Sequence, residues 1–356
     1  MRVLFHHPTG HVWGPPMAEH GLPGTEEAIL YLSAELAAAG ARVRVVTGCG
    51  AMAGEHGGVE WIDQATFEGA APDVAVITDP DHAALFSQGV RVYLWLHIDH
   101  APHRVTDVLD RLRKIMPLSR FSRSLYPMVP DAKVFVTRNG IVPEQFEQEV
   151  AREPFTLCYG SDYDRGLLPI LELWPQIRRL VPEARLRIFY GWEVYDRKIE
   201  GLRASGAPEL PGWLEQKRRI AQLMGQDGIV HLGRIGHREV AAEFLRADIW
   251  AYPCQFPETS CITAMKAQAG GAIPVVVPVA ALAETVVYGA RTTRLPADVR
   301  LMDLPLMREY GGLLVSLMND RAQQEEWRPR MTAFARTYFA WRTVAREWLD
   351  DFRRDG

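Results

Sequence analysis

Residues Phe155-Thr156-Leu157-Cys158-Tyr159-Gly160-Ser161-Asp162-Tyr163-Asp164-Arg165-Gly166 read as a short apolar run, a polar turn with glycines, and the approach to a helix. The helix follows at once. Leu167, Ile170, Leu171, Trp174 and Ile177 recur at three-and-four spacing, a stripe that buries one face. Pro175 is expected to kink or end it. A strand that feeds a helix through a glycine turn is the unit of parallel α/β sheets. Toward the C-terminus, strands are expected at 185–190, 229–232, 248–252 and 273–277. Helices at 237–246 and 259–269 alternate with them, and residues 301–352 close the chain as helical sequence. Toward the N-terminus the same alternation stands once before. Val3, Leu4 and Phe5 form a first strand, and a helix at 25–39 carries Ile29, Leu32 and Leu36 to a stop at Gly40. Further strands fall at 42–47, 74–77, 90–96 and 133–137, the last ending in the turn Asn139-Gly140. Residues 142–154 are rich in Glu, Gln and Pro, and apolar periodicity fades there, so a domain boundary is placed at 150.

The chain of 356 residues suits two such domains. Apolar residues make up 47% and charged residues 24%, an ordinary globular balance. Forty basic against forty-four acidic residues give a formal charge of −4, which disfavours a nucleic-acid binder. No apolar run reaches membrane-spanning length, and MRVLFHHP reads as a strand rather than a signal peptide. Cys49, Cys158, Cys254 and Cys261 are scattered without a C-x-x-C pair, as expected of reduced thiols in a cytoplasmic protein. Peripheral membrane association and the oligomeric state stay open.

Two tandem α/β domains present strand ends at which ligands bind. No G-x-G-x-x-G follows the first strand, so a dehydrogenase loses its main support. Gly24 and Thr25 stand where a helix begins, either as an anion site on exposed N–H groups or with Thr25 as a plain N-cap. Arg165, after Gly160 and Ser161, is placed either to grip a diphosphate or to pair with Asp162 or Asp164 at the surface. Glu258 precedes a helix start. It can accept from sugar hydroxyls while the N–H groups of Ser260 and Cys261 donate, or it can merely cap the helix.

Several pieces in order resemble a known family, the retaining GT-B glycosyltransferases of glycosyltransferase family 4. They are Gly24-Thr25-Glu26, Trp95-Leu96-His97, Ser119-Arg120-Phe121-Ser122, Asn139-Gly140-Ile141, Asp164-Arg165-Gly166, Phe189-Tyr190-Gly191-Trp192 and Leu232-Gly233-Arg234-Ile235. The most specific is the block from Phe256 to Lys266 with Gly271-Ala272-Ile273-Pro274-Val275 behind it. The resemblance covers nearly the whole length. It implies the α/β GT-B fold: a Rossmann-like acceptor domain at 1–150, a Rossmann-like domain for the nucleotide-sugar donor at 151–332, facing it across a cleft, and a helix at 333–356 crossing back to the first. It implies transfer to a hydroxyl acceptor with retention, no metal, and no cofactor beyond the donor. Arg165 would neutralise the diphosphate and Glu258 would hold sugar hydroxyls. Thr259, Ser260, Cys261 and Ile262 would flank sugar and phosphate. Tyr190, Gly191 and Arg234 would line the base pocket. His97 would stand near the reacting carbon, and Gly24 would touch the phosphate.

Two positions depart from the family. It pairs two glutamates seven residues apart, yet the second position holds Lys266, whose ammonium cannot accept a ribose hydroxyl. The usual first cation of the diphosphate site is Ser161, and Lys266 can restore the missing charge. A nucleotide-sugar 2-epimerase and a degenerate nucleotide-binding subunit are therefore kept as alternatives. Asp79-Pro80-Asp81 and Asp162-Tyr163-Asp164 match D-x-D, but are expected to be solvated loop acids. His97, His100 and His103 are read as loop histidines, because Pro102 interrupts any helix there. Cys254 and Cys261 are read as buried small side chains. Trp13 and Trp61 are candidates to stack on an acceptor sugar. His6, His7, His11 and His20 either line the cleft mouth or are solvated.

Overall fold

The computed structural model describes residues 1–69, 71–296 and 302–355. Its contacts divide the chain into two units. The first comprises Met1–Val142, Thr259–Ile262 and Arg336–Gly356. Its strands are β1 (Arg2–His6), β2 (Arg42–Thr47), β3 (Gly54–His56), β4 (Val59–Asp63), β5 (Val74–Ile77), β6 (Arg91–Leu96) and β7 (Leu112–Pro117). They lie in the order β3-β4-β2-β1-β5-β6-β7, parallel except for β3. Helices α1 (Gly24–Ala38), α2 (Pro102–Thr106) and α3 (Arg120–Ser124) complete its N-terminal part. Val3, Leu4 and Phe5 are all buried, and so are all four residues of β5, as expected of parallel strands covered on both faces.

The second unit comprises Pro143–Glu258 and Thr263–Ala335. Its sheet has the order β10-β9-β8-β11-β12-β13, from β8 (Glu153–Tyr159), β9 (Arg185–Phe189), β10 (Ile229–Gly233), β11 (Ala247–Tyr252), β12 (Ile273–Val276) and β13 (Ala290–Arg291). Its helices are α4 (Leu167–Leu180), α5 (Glu193–Ser205), α6 (Leu210–Leu223), α7 (His237–Arg246), α8 (Ile262–Gly270), α9 (Leu282–Thr285), α10 (Leu304–Asn319) and α11 (Arg321–Tyr338). The chain leaves the second unit within α11, and α12 (Trp341–Arg354) belongs to the first. There α12 packs on α1. Trp348 Nε1 donates to Thr137 Oγ1 at 2.7 Å, and Lys114 pairs with Asp351 at 2.7 Å and Asp355 at 2.9 Å. The turn Asn139-Gly140-Ile141 braces this helix. Ile141 N–H donates to Phe339 O and Trp341 N–H to Ile141 O. A Cβ on Gly140 would stand 2.6 Å from the Trp341 ring, so only glycine fits.

Several expectations require correction. Residues 133–137 form no strand. Val134 makes an isolated bridge to Ile115, and the true edge strand is β7, whose Arg113 and Lys114 hid it from an apolar reading. Strands β3, β4 and β13 were also missed; β3 and β13 are too short to show a period. Pro175 does not end α4, because the buried faces of Trp174 and Ile177 outweigh one lost backbone hydrogen bond. Helix α1 starts at Gly24 behind Pro23, with no side-chain cap, so Thr25 is not its N-cap. Helix α8 starts at Ile262, three residues later than expected, because Thr259 is tied into the first unit. The unit boundary lies at Val142/Pro143 rather than at 150, since Pro143–Phe146 packs on α7. Leu301, the expected start of the closing helical segment, lies outside the described residues.

Candidate functional site

In an open parallel sheet the crevice lies where strand order reverses. In the second unit β9 and β10 extend to one side of β8, while β11 to β13 extend to the other. The reversal therefore falls between β8 and β11, and the loops leaving those two strands carry Arg165 and Glu258. Their side chains meet. Arg165 Nη1 donates to Glu258 Oε1 at 3.2 Å, Tyr252 OH donates to the same oxygen at 2.8 Å, and Cys254 Sγ lies 3.9 Å from it. All these contacts fall on Oε1. Burial raises the Glu258 pKa above the usual carboxylate range, against the lowering pull of Arg165 and Tyr252. Burial also works against the Arg165 charge, but Glu258, Tyr252 and Asp164 outweigh it and hold its pKa above the ordinary value. The guanidinium lies over the Phe256 ring at 3.5 Å, and its buried Nε has no hydrogen-bond partner. Asp164 is an ion-pair neighbour at 3.5 Å. Of the two alternatives read for Arg165, the structure holds the local pairing, to Asp164, and adds a second carboxylate, Glu258.

Ser161 Oγ reaches Tyr252 OH at 3.2 Å, which ties the first loop to the second. Two glycines make this approach possible. A Cβ on Gly160 would stand 2.0 Å from Phe189, and Gly166, at φ +107°, would press a Cβ to 2.7 Å from Pro253 O. Tyr190 and Gly191 leave β9 beside the same loops. Tyr190 holds a strained φ of 135°, and the Arg234 guanidinium lies 5.7 Å from its ring centroid. Gly191 N–H donates to Tyr163 OH at 3.1 Å. Burial, with Asp162 nearby, pushes the Tyr190 hydroxyl up to about 12. Lys266 lies in α8 and is buried, 6% exposed.

Sequence reading missed two residues here, Tyr252 and Lys198. Lys198, on α5, binds Asp162 and Asp164 at 2.6 Å each. No local pattern connects positions more than thirty residues apart, and nothing in the sequence marks Tyr252 beyond its place at a strand end. The aspartates are therefore not the solvated acids expected. Asp162 is 6% exposed, and burial and the like charge of Asp164 raise its pKa. Asp79 and Asp81 both pair with Arg104 at 2.8 Å, and Asp81, its side chain 71% exposed, is the solvated acid expected. Among the described residues, no group of three His, Cys, Asp or Glu is placed to hold a metal ion. Burial and Glu258 push the Cys254 thiol up to about 12, so it is no nucleophile at neutral pH. Cys261 is buried too, as expected.

The remaining candidates lie in the first unit. Thr259 Oγ1 donates to His97 O at 3.1 Å, and Ser119 Oγ donates to Thr259 O at 2.7 Å. Gly24 faces Ile262, whose Cδ1 would lie 3.6 Å from a Cβ at that position. Ser260 Oγ is buried without a partner. The His97 ring packs edge-on against Trp95 at 4.1 Å, and burial with nearby His7 lowers its pKa to about 3. It is therefore a neutral imidazole at neutral pH. His97 and His100 lie in the loop as expected, His100 buried with Nε2 3.1 Å from Thr78 O, whereas His103 lies in α2. Trp13 and Trp61 are buried against each other at 5.3 Å and cannot stack on a ligand.

No family model matches the sequence, and no curated protein does. Solved structures do match. The UDP-glucose complex of HepE from Anabaena has a TM-score of 0.71 at 14% identity, covering 99% of this chain and 100% of that one. Sucrose-phosphate synthase from Thermosynechococcus elongatus has a TM-score of 0.73 at 15% identity, covering 99% and 98%. AviGT4, a glycosyltransferase involved in avilamycin A biosynthesis, has a TM-score of 0.61 at 17% identity, covering 99% and 97%. The fold of this chain is accordingly the GT-B fold, two Rossmann-like units. No helix among the described residues is long and apolar enough to cross a membrane.

Proposed function

We propose that this chain is a glycosyltransferase of the family 4 type. It binds a nucleotide-sugar, with UDP-glucose as the first donor to test, and transfers the sugar to a hydroxyl acceptor with retention, without metal or other cofactor. The observation that carries this reading is the Arg165–Glu258 pair at the reversal point of the second sheet, a buried guanidinium and carboxylate meeting where the β8 and β11 loops come together. Carboxylate and guanidinium are what a sugar diphosphate requires: an acceptor for sugar hydroxyls and a donor for phosphate oxygens. The fold likeness to a UDP-glucose complex supports the same donor class.

In this mechanism the anomeric carbon–oxygen bond breaks toward the diphosphate and the acceptor oxygen forms the new bond. The acceptor proton passes to a leaving phosphate oxygen, so no protein base is needed. Arg165 counters the charge that grows on the leaving group, and preorganised charge of this kind is a leading contribution in such reactions. Ser260 and Cys261 N–H groups flank the phosphate, Tyr190, Gly191 and Arg234 the base, and neutral His97 a sugar hydroxyl. Lys266 supplies charge that Ser161 does not.

The test is calorimetric titration of UDP and UDP-glucose into the full chain, followed by product analysis by NMR with and without EDTA. Binding, turnover insensitive to EDTA, and an α-configured product from the α-donor are expected. Absence of UDP binding overturns the reading. Binding without turnover across donors and acceptors identifies the non-catalytic subunit, and sugar-ring inversion without an acceptor identifies the epimerase.

A further inference from the structure

The first sheet reverses its order as the second does. β2 and β4 extend to one side of β1, while β5, β6 and β7 extend to the other. Its crevice therefore lies at the carboxyl ends of β1 and β5. Four histidines gather at that edge. His6 ends β1 and His7 follows it; His82 stands in the turn after β5, and His97 follows β6. The His6 and His82 rings meet edge to face at 4.8 Å. His7 Nδ1 is bound to Thr78 Oγ1 at 2.7 Å. One nitrogen of each ring is buried without a hydrogen-bond partner: Nδ1 of His6 and His82, Nε2 of His7 and His97. Thr47 Oγ1, at the end of β2, is in the same condition. His6 itself is only 6% exposed. Native interiors leave few such groups, so four in one place point to a ligand that satisfies them.

The chemistry of the edge selects among ligands. The fully charged groups that bear on these rings are Arg104, Asp79 and Asp81, which pair with one another, and His11 is the further imidazole facing His7. Burial first, and then the neighbouring imidazoles, lower His6 and His7 to about 4. An anion arriving here would meet Arg104 already held by two aspartates. It would have to protonate rings that burial and mutual repulsion keep neutral. A hydroxyl faces no such cost, since a neutral imidazole offers one N–H donor and one nitrogen acceptor. We propose that the carboxyl edge of β1 and β5 binds an uncharged polyhydroxyl ligand through His6, His7, His82 and His97, and that the acceptor is accordingly an unphosphorylated sugar. The second clause rests on the glycosyltransferase reading; the first does not.

The test uses the full chain labelled with ¹⁵N in its histidine rings. It is titrated with glucose, galactose and mannose, and with the 6-phosphate of each. At least one free sugar should move the ring signals of these histidines, which stay neutral, and should bind about tenfold tighter than its 6-phosphate. His82→Gln should weaken that binding about tenfold, and His82→Asn should do the same. UDP titrated into the same samples should bind as before. Equal or tighter binding of the phosphates, conversion of the rings to the cationic form, or no response to any of the three sugars overturns the proposal. UDP binding in those samples reports separately on the donor reading, so the two failures are distinguishable.

Discussion

Replacing Glu258 by glutamine separates a structural role of this residue from a binding one. The glutamine keeps the size and one acceptor oxygen, so Tyr252 OH retains its partner. What is lost is the negative charge 3.2 Å from Arg165. At an effective dielectric near 20, the attraction of unit charges at that distance is at most about 5 kcal/mol. Folding does not gain that amount, because the Glu258 pKa is raised: burial costs the carboxylate more than Arg165 returns. A carboxyl group with a raised folded pKa loses stability as pH climbs from its unfolded pKa to its folded one. At neutral pH the ionised side chain therefore stands at a net cost, which glutamine relieves. Arg165 keeps Asp164 at 3.5 Å and the Phe256 face. Relief of the carboxylate's burial cost is set against loss of the charge that compensates buried Arg165 most, so the expected melting temperature of Glu258→Gln lies within about 4 °C of the parent. Donor turnover should behave differently. A charged hydrogen bond to a sugar hydroxyl contributes about 2 kcal/mol, so kcat/KM for UDP-glucose should fall about 30-fold. The assay is initial-rate UDP release alongside thermal unfolding. A melting point lowered by more than about 4 °C with turnover intact would refute the reasoning, since it would make Glu258 a brace of its loop.

Other perturbations follow from the same geometry. Gly160→Ala forces a methyl to 2.0 Å from Phe189 and should cost about 1–3 kcal/mol in denaturant unfolding. Adding Phe189→Leu should recover part of that loss, and strictly additive effects would show that the clash does not exist. Lys198→Met leaves Asp162 and Asp164 uncompensated near Arg165, so calorimetry should find UDP bound about tenfold more weakly; unchanged affinity would detach the pair from the site. In the first unit, burial works against the Asp355 charge, but Arg113, Lys114 and Tyr93 prevail and hold its pKa to about 2. A depressed carboxylate contributes stability above its unfolded pKa and loses it as pH falls through the folded one. About 2 kcal/mol should therefore disappear between pH 4 and pH 2, and Asp355→Asn should remove that dependence. An identical acid profile in the variant would show that the α12 anchor does not titrate there.

The alternation of short apolar strands with amphipathic helices was readable because buried parallel strands must be apolar on both faces. Val3-Leu4-Phe5, 74–77 and the stripe from Leu167 to Ile177 satisfy that requirement within a few residues. Strand β7 failed the same test, since Arg113 and Lys114 serve α12 from within it, and that helix is more than two hundred residues away. The loop residues Arg165 and Glu258 could be named from their turns. Their meeting could not, because it depends on β8 and β11 being neighbours in the sheet.

Local sequence determined the periods, the glycine turns and the residue types available to each strand end. Strand order alone decided what those residues touch. Lys198 neutralises Asp162 and Asp164 because α5 packs beside the β8 loop, and Trp13 and Trp61 are lost to solvent because the loop after β1 packs on the buried face of β4. The four histidines are polar residues in sequence. They become neutral imidazoles, each with one buried nitrogen left without a hydrogen-bond partner, only where β1, β5 and β6 bring them together. Spacing along a chain carries hydrophobic pattern, whereas burial and charge compensation belong to neighbours in space.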